Sequence, residues 1–163
     1  MKIVYLAGPD VFYPDSKKRR DRLLNLCKEN GFLGVYPGDN EIVPPEAHTI
    51  REANMKMIKN ADCVLANLSP FRGFEPDSGT VFEVGFATAL GKTIVGYSND
   101  VRPMIDRLRE HQSLSKTQMT DKDGLFVENF DLPNNLMFGD IVLATTPEEA
   151  IQKLKYLLTI NKE

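Results

Sequence analysis

The sequence predicts an α/β fold, with a doubly wound parallel sheet of five strands and helices on both faces. Short apolar runs rich in strand-forming residues alternate with longer helical patterns along the whole chain. Gly-Pro, Pro-Gly, Asn-Gly and Ser-Pro turns separate these segments. The chain has 163 residues and 42% hydrophobic residues, which fits one globular domain over residues 1–163.

The first strand is predicted over residues 2–8, KIVYLAG, and Gly8-Pro9 ends it. From Ser16 to Asn30 the pattern becomes helical, because Leu23, Leu24 and Cys27 share one stripe before Asn30-Gly31 stops the helix. A second strand, FLGVYP, follows over residues 32–37.

A second helix is predicted from Glu46 to Asn60, and a third strand, DCVLANL, over residues 62–68. The segment TVFEVGFATAL then forms a third helix, which starts between Asp77 and Thr80 and stops at Gly91.

A fourth strand is predicted over residues 92–98 and a charged helix over about 101–112. Residues 113–135 are polar and irregular, which indicates a long loop. A fifth strand is predicted over 139–144, and an amphipathic helix over 147–160 begins at Thr146-Pro147. In such a sheet, ligands bind outside the carboxyl ends of the strands, near the point where the strand order reverses.

Composition and motifs exclude several classes of function. A net charge of -3 gives no basic surface for nucleic acid or an anionic membrane. Two distant cysteines and no secretory leader favour a reducing, cytoplasmic setting. No metal-ligand spacing, dinucleotide fingerprint or phosphate-binding loop motif is present. A phospho-receiver needs an aspartate at the end of the third strand, where this chain has Asn67.

Glu83 is the carboxylate that needs an explanation, because it lies among Val81, Phe82, Val84 and Phe86. In one interpretation Thr80 and Glu83 form a capping box, and Glu83 serves its own helix start. In the other, Asp77 or Ser78 caps the helix, and Glu83 is free for a ligand. Gly79 would then let the backbone approach that ligand.

Two further polar residues fall on predicted apolar faces. Asn54 shares a helical stripe with Ile50, Met57 and Ile58, so its amide either satisfies a loop carbonyl or faces a pocket. Tyr5 lies in the middle of the first strand, where tyrosine usually packs in the core and its hydroxyl finds an acceptor.

Several blocks, in this order, resemble the nucleoside 2-deoxyribosyltransferase family. They are YLAGPDVF (5–12), PGDNE (37–41), NMKMIKNADCVLANLSPF (54–71), DSGTVFEVGFA (77–87) and PNNLM (133–137). The resemblance implies a flavodoxin-like sheet and transfer of 2-deoxyribose between purine or pyrimidine bases without a cofactor. It also implies deoxynucleosides and free nucleobases as small-molecule partners, and a homo-oligomer, from dimer to hexamer, with shared active sites.

The resemblance also implies roles for individual residues. Glu83 matches the family nucleophile, Tyr5 the tyrosine that orients it, and Asp77 an active-site acid. Asn135 and Met137 match residues that a neighbouring subunit donates, with Asn135 directed toward the sugar 5′-hydroxyl. The remaining matched substrate-binding positions are Gly8, Phe12, Asp39, Asn40, Glu41, Asn54 and Gly79.

The chain departs from the family pattern at two places. Some members have Asp where this chain has Asn54, and an amide cannot act as a general acid, so protonation of the leaving base falls to Asp77, Glu41 or water. Many bacterial members end in a tyrosine near the pocket, whereas this chain ends Asn161-Lys162-Glu163. The rim of the pocket is therefore expected to differ.

Two other functions stay open. The first is a 2-deoxynucleoside 5′-monophosphate N-glycosidase, a hydrolase of the same superfamily in which a serine replaces Asp77. Arg72 could serve a phosphate, but the Asp77 carboxylate would repel it. The second is a non-catalytic, nucleotide-binding flavodoxin-like domain.

Overall fold

The computed structural model describes residues 1–38 and 46–160. The strands are β1 (Lys2–Ala7), β2 (Phe32–Val35), β3 (Cys63–Asn67), β4 (Thr93–Tyr97) and β5 (Val142–Ala144). The helices are α1 (Ser16–Glu29), α2 (Ala47–Asn60), α3 (Ser78–Ala89), α4 (Met104–Gln112) and α5 (Pro147–Ile160), with short 3-10 helices at Pro9–Phe12 and Leu136–Phe138.

The strands form one sheet in the order β2-β1-β3-β4-β5, and every neighbouring pair is parallel. The predicted α/β sheet with helices on both faces is therefore confirmed. The chain leaves β1 toward β2 on one side and leaves β3 toward β4 on the other. The strand order thus reverses between β1 and β3, where a ligand site is expected.

Two hydrophobic cores lie on opposite faces of the sheet. Alternate residues of β1 point to opposite faces, so Val4 and Leu6 pack with Leu23 and Leu154 of α1 and α5. Tyr5 and Ala7 enter the other core, which includes residues of α2 and α3. The sheet therefore separates an α1/α5 face from an α2/α3 face.

Three element boundaries differ from the prediction by two residues or more. The fourth helix begins at Met104 rather than 101, because Pro103 disfavours helical backbone in the residue before it and stands as the N-cap. β2 ends at Val35, two residues before Pro37. The fifth strand begins at Val142 rather than 139, because Gly139 caps the 3-10 helix Leu136–Phe138.

The predicted long loop over residues 113–135 contains no helix or extended strand. A single antiparallel bridge joins Thr120 to Phe126 within it. Several large apolar side chains on and after this loop are exposed, including Phe126, Phe130 and Met137. Within residues 1–38 and 46–160, no helix has both the length and the apolar character needed to cross a membrane.

Candidate active site

The structure brings Tyr5 and Glu83 into direct contact. Tyr5 lies in the middle of β1 and is fully buried on the α2/α3 face. Glu83 lies in the second turn of α3, the helix that follows the neighbouring strand β3. The Tyr5 hydroxyl donates a hydrogen bond to Glu83 Oε1 at 2.6 Å. The pair therefore lies beside the point where the strand order reverses.

The surroundings of Glu83 set its protonation. Burial raises the pKa of Glu83 to about 7, the Tyr5 hydrogen bond lowers it, and the nearby Asp77 carboxylate raises it. Burial, together with the charge of Glu83, raises the pKa of Tyr5, so its hydroxyl stays protonated and remains a donor. Glu83 can therefore exist as a carboxylate or as an acid near neutral pH.

Asp77, rather than Thr80, caps α3. Asp77 Oδ2 accepts hydrogen bonds from the Thr80 backbone N–H at 2.9 Å and from the Thr80 hydroxyl at 3.1 Å. The helix begins at Ser78, so the capping-box interpretation of Glu83 is wrong. A Cβ at Gly79 would lie 3.1 Å from Asp77 Oδ2, so Gly79 leaves room for this cap.

Gly8 and Phe12 lie at the carboxyl end of β1. A Cβ at Gly8 would lie 2.8 Å from the Asn67 Cβ, so glycine is required for close packing of the ends of β1 and β3. Phe12 is 57% exposed and stacks on Phe71, with 5.6 Å between ring centroids. The Arg72 guanidinium lies over both rings, 5.4 Å from Phe12 and 4.8 Å from Phe71.

A cleft of about 410 Å³ lies beside the cap of α3. It is lined by the loop from Phe71 to Ser78, which includes Arg72 and Asp77. The Asp77 carboxylate therefore reaches both a solvent-accessible cleft and, through its charge, the half-buried Glu83.

Asn54 is half-buried in α2, and its amide has no hydrogen-bond partner among residues 1–38 and 46–160. No loop carbonyl in that part of the chain satisfies it, and the pocket-facing role stays a prediction. The predicted base-recognition residues Asp39, Asn40 and Glu41 lie outside the described residues.

Asn135 and Met137 are engaged away from the Tyr5–Glu83 pair. Asn135 Nδ2 donates to Glu128 Oε1 at 2.7 Å, and Asn135 Oδ1 accepts from the Met137 backbone N–H at 3.0 Å. Met137 is 82% exposed. These contacts hold Asn135-Leu136-Met137 in a fixed turn at the surface, where a second chain could reach it.

Arg107 is a structural link that the sequence analysis did not identify. Its side chain is 6% exposed and donates to the carbonyl oxygens of Arg102 at 3.2 Å, of Phe74 at 3.3 Å, and of Pro133. Burial lowers its pKa. One guanidinium therefore joins the loop that leads to Asp77 with the segment that leads to Asn135.

The described residues hold no evident metal centre. No group of three or more His, Cys, Asp and Glu side chains within 1–38 and 46–160 is arranged to bind an ion. The chemistry available in this part of the chain is that of two neighbouring carboxylates and a tyrosine hydroxyl on a doubly wound α/β scaffold.

Comparison with known proteins places this scaffold and site in a family. Residues 4–137 match the nucleoside 2-deoxyribosyltransferase family. A solved 2-deoxyribosyltransferase from Leishmania mexicana is 39% identical, with a TM-score of 0.79 and coverage of 94% of this chain and 96% of that one. The chain therefore belongs to the nucleoside 2-deoxyribosyltransferase family, whose members are glycosyl-transferring enzymes.

Two further proteins are less similar in sequence. An uncharacterised protein of Schizosaccharomyces pombe is 32% identical, over 82% of this chain and 74% of the relative. The CMP N-glycosidase from Clostridium botulinum is 21% identical, with a TM-score of 0.53 and coverage of 96% of this chain and 99% of that one. At that identity the likeness concerns the fold alone.

Proposed function

We propose that this protein is a nucleoside 2-deoxyribosyltransferase that moves 2-deoxyribose between bases through an ester on Glu83. The observation that carries the proposal is the 2.6 Å contact between the Tyr5 hydroxyl and a poorly hydrated Glu83 carboxylate. The 39% identity to the Leishmania mexicana 2-deoxyribosyltransferase supports the same activity.

The first half of the reaction breaks the bond between C1′ and the base nitrogen. Positive charge develops at C1′, and the Glu83 carboxylate stabilises it and then bonds to the carbon, as in retaining glycosidases. The departing base takes the electron pair of the broken bond and needs a proton. Asp77, which faces the adjacent cleft, is the described acid best placed to supply it.

The second half reverses these steps with another base. A ring nitrogen of the incoming base attacks C1′, the ester bond to Glu83 breaks, and the carboxylate is regenerated. The proton that the incoming base loses returns to the acid. Two displacements at the same carbon retain its configuration. Water that reached the ester would release free deoxyribose, so transfer requires that water is excluded.

Tyr5 and the position of Glu83 tune the nucleophile. The hydroxyl of Tyr5 stabilises the carboxylate and fixes Oε1, which leaves Oε2 for attack. Burial weakens the hydration that would otherwise shield the charge. A carboxylate with a pKa near 7 is ionised in a substantial fraction at neutral pH and is more basic than an exposed glutamate.

We further propose that the site is completed by Asn135 and Met137 from a second copy of the chain. The exposed turn at Leu136 and Met137, and the apolar side chains of the preceding loop, support this arrangement. Mixing Glu83→Gln protein with Asn135→Ala protein, followed by subunit exchange, should then restore transfer in a fraction of the sites. Activity in a monomeric protein would contradict the shared site.

A second candidate, a 5′-monophosphate N-glycosidase, is favoured by one observation. Arg72 lines the same cleft as Asp77 and could hold a phosphate, although the Asp77 carboxylate opposes it. Incubation with a deoxynucleoside or a deoxynucleoside 5′-monophosphate, each with a second free base and read by chromatography, separates the possibilities. Transfer supports the proposal, and release of 2-deoxyribose 5-phosphate from the monophosphate supports the hydrolase. Binding without turnover supports a nucleotide-binding domain.

A further expectation concerns which nucleobases the enzyme accepts. Glu41 is an acceptor of hydrogen bonds, and guanine and adenine offer ring or exocyclic N–H donors, so purines should react at least as well as pyrimidines. A panel of deoxynucleoside donors and base acceptors measures this preference. Reaction of thymine and cytosine alone would refute it.

A further inference from the structure

A second cleft lies on the face of the sheet opposite Glu83. Its volume is about 450 Å³, and Tyr97 at the end of β4 forms part of its wall. Tyr97 packs in the core that α1 and α5 cover, whereas Tyr5 and α3 belong to the core on the other face. The sheet therefore separates this cleft from the Tyr5–Glu83 pair, although both lie at the carboxyl ends of the strands.

Tyr97 supplies the first sign that this cleft binds a ligand. Its side chain is 8% exposed and lines the cleft, yet its hydroxyl has no hydrogen-bond partner among residues 1–38 and 46–160. The hydroxyl oxygen itself opens onto the cleft, so a ligand there can contact it. Burial, with a contribution from Asp10, raises the pKa of Tyr97, so the hydroxyl keeps its proton and can donate it to a hydrogen bond.

The hydrogen-bond acceptors of Asp10 and Ser69 in the wall of this cleft are already engaged. The buried Asp10 carboxylate accepts from Arg19 Nη1 at 3.1 Å and from Asn67 Nδ2 at 2.9 Å. The Ser69 hydroxyl oxygen accepts from a backbone N–H at 3.1 Å, which leaves its own proton unused.

Unused donors remain on several sides of the same space. Arg22 contacts Glu148 through one nitrogen, Nη2, at 2.7 Å, so its other N–H groups have no partner among the described residues. The Thr146 hydroxyl oxygen also accepts from a backbone N–H and keeps its proton. The lining carries two guanidiniums, Arg19 and Arg22, and one carboxylate, Asp10. Asp15 and Glu148 also pair with these arginines from outside the lining. A ligand that uses the remaining N–H and O–H donors brings acceptor oxygens.

We propose that this cleft binds a small oxyanion, namely a phosphate group either free or carried on a small ester. The ligand oxygens would accept from the Tyr97 hydroxyl, from the unused N–H groups of Arg22 and from the hydroxyls of Ser69 and Thr146. A phosphate suits this combination because it offers several acceptor oxygens to donors that converge from different elements. The proposal does not depend on any step at Glu83.

The test is calorimetric titration of the whole protein with inorganic phosphate and, separately, with 2-deoxyribose 5-phosphate. Saturable binding with one ligand per chain is expected. Tyr97→Phe removes one donor and should weaken binding about tenfold. Arg22→Gln removes a charge and should weaken it by a similar or larger factor. Because Arg22 is exposed, the Arg22→Gln variant remains informative even if Tyr97→Phe disturbs the core.

Arg72→Gln is the matched control, because Arg72 is an exposed arginine that lines the cleft next to Asp77 and does not line this one. It should leave phosphate affinity unchanged. Tighter binding of the sugar phosphate would identify an ester as the ligand, and equal binding would identify free phosphate. Absence of saturable binding up to about 10 mM, ten times the Kd of even a weak millimolar site, would overturn the proposal.

Loss of binding in Arg72→Gln, with Tyr97→Phe unaffected, would also overturn it, because the phosphate would then occupy the cleft beside Asp77. Deoxyribosyl transfer, measured in parallel on phosphate-free protein, reports the proposed function independently. Phosphate binding in this cleft and deoxyribosyl transfer at Glu83 are therefore tested separately.

Discussion

Replacing Glu83 by glutamine should make the protein more stable at high pH while removing its proposed activity. The ordinary pKa of a glutamate side chain is 4.5, and burial raises that of Glu83 to about 7 in the folded protein. A raised folded pKa means that folding favours the protonated form. The stability that this group contributes is full below pH 4.5 and is lost as the pH rises through 7.

The size of the effect follows from the two pKa values. Their difference is about 2.5, and each pKa unit corresponds to 1.36 kcal/mol, so ionised Glu83 costs the folded protein about 3 kcal/mol. Glutamine has nearly the same shape, does not titrate and can still accept the hydrogen bond of Tyr5. The free energy of unfolding of Glu83→Gln should therefore exceed that of the wild type by about 3 kcal/mol more at pH 9 than at pH 4.

Urea unfolding at several pH values between 4 and 9 measures this difference directly. Titrations elsewhere in the chain occur in both proteins and cancel in the comparison. The same variant cannot form an ester at residue 83, so deoxyribosyl transfer should fall by orders of magnitude. Mass spectrometry of the wild type with donor and no acceptor should reveal a deoxyribosyl adduct on the peptide that contains Glu83.

Three results would contradict this prediction, each at a different step. A stability difference that does not change with pH would show that folding does not raise the pKa of Glu83. Full transfer by Glu83→Gln would show that another group attacks C1′. Lost transfer together with lost stability at every pH would indicate a structural role instead.

The remaining predictions concern the neighbours of this site. Tyr5→Phe removes the hydrogen bond that lowers the pKa of Glu83, so the midpoint of the acidic limb of kcat/KM should move upward. Asp77→Asn keeps a capping side chain but removes a negative neighbour, so the midpoint should move downward. The pH profiles of both variants check these opposite directions, and shifts of the same sign would contradict them. Arg107→Met leaves three carbonyl oxygens without their buried donor and should cost about 1–3 kcal/mol of unfolding free energy, measured by urea; an unchanged midpoint would argue against this link.

The sheet and the carboxylate were accessible from the sequence because both leave a local pattern. Alternation of apolar runs with helical stripes predicts a parallel sheet whatever the side-chain details. Glu83 is conspicuous because a charge inside an otherwise apolar helix must have a partner. The partner itself, Tyr5, lies 78 residues away, and its position on the same face follows from the alternation of side chains along β1.

Other features leave no such pattern. Arg107 interacts with backbone carbonyls 33 and 26 residues away, and every residue type carries a carbonyl, so nothing in the sequence identifies these partners. The cap of α3 was ambiguous because Asp77, Ser78 and Thr80 are all good capping residues. Only the path of the backbone selects Asp77, and that selection excludes the local role for Glu83.

The cap at Asp77 has a consequence for how this site can diverge. The residues that cap a helix well are Ser, Thr, Asp and Asn, and this short list spans both charged and neutral chemistry. A single substitution at residue 77 can therefore exchange a carboxylate for a hydroxyl on the wall of this cleft while α3 keeps its start. If the cleft takes the substrate as proposed, such a change alters the charge that the substrate meets at little expense to folding.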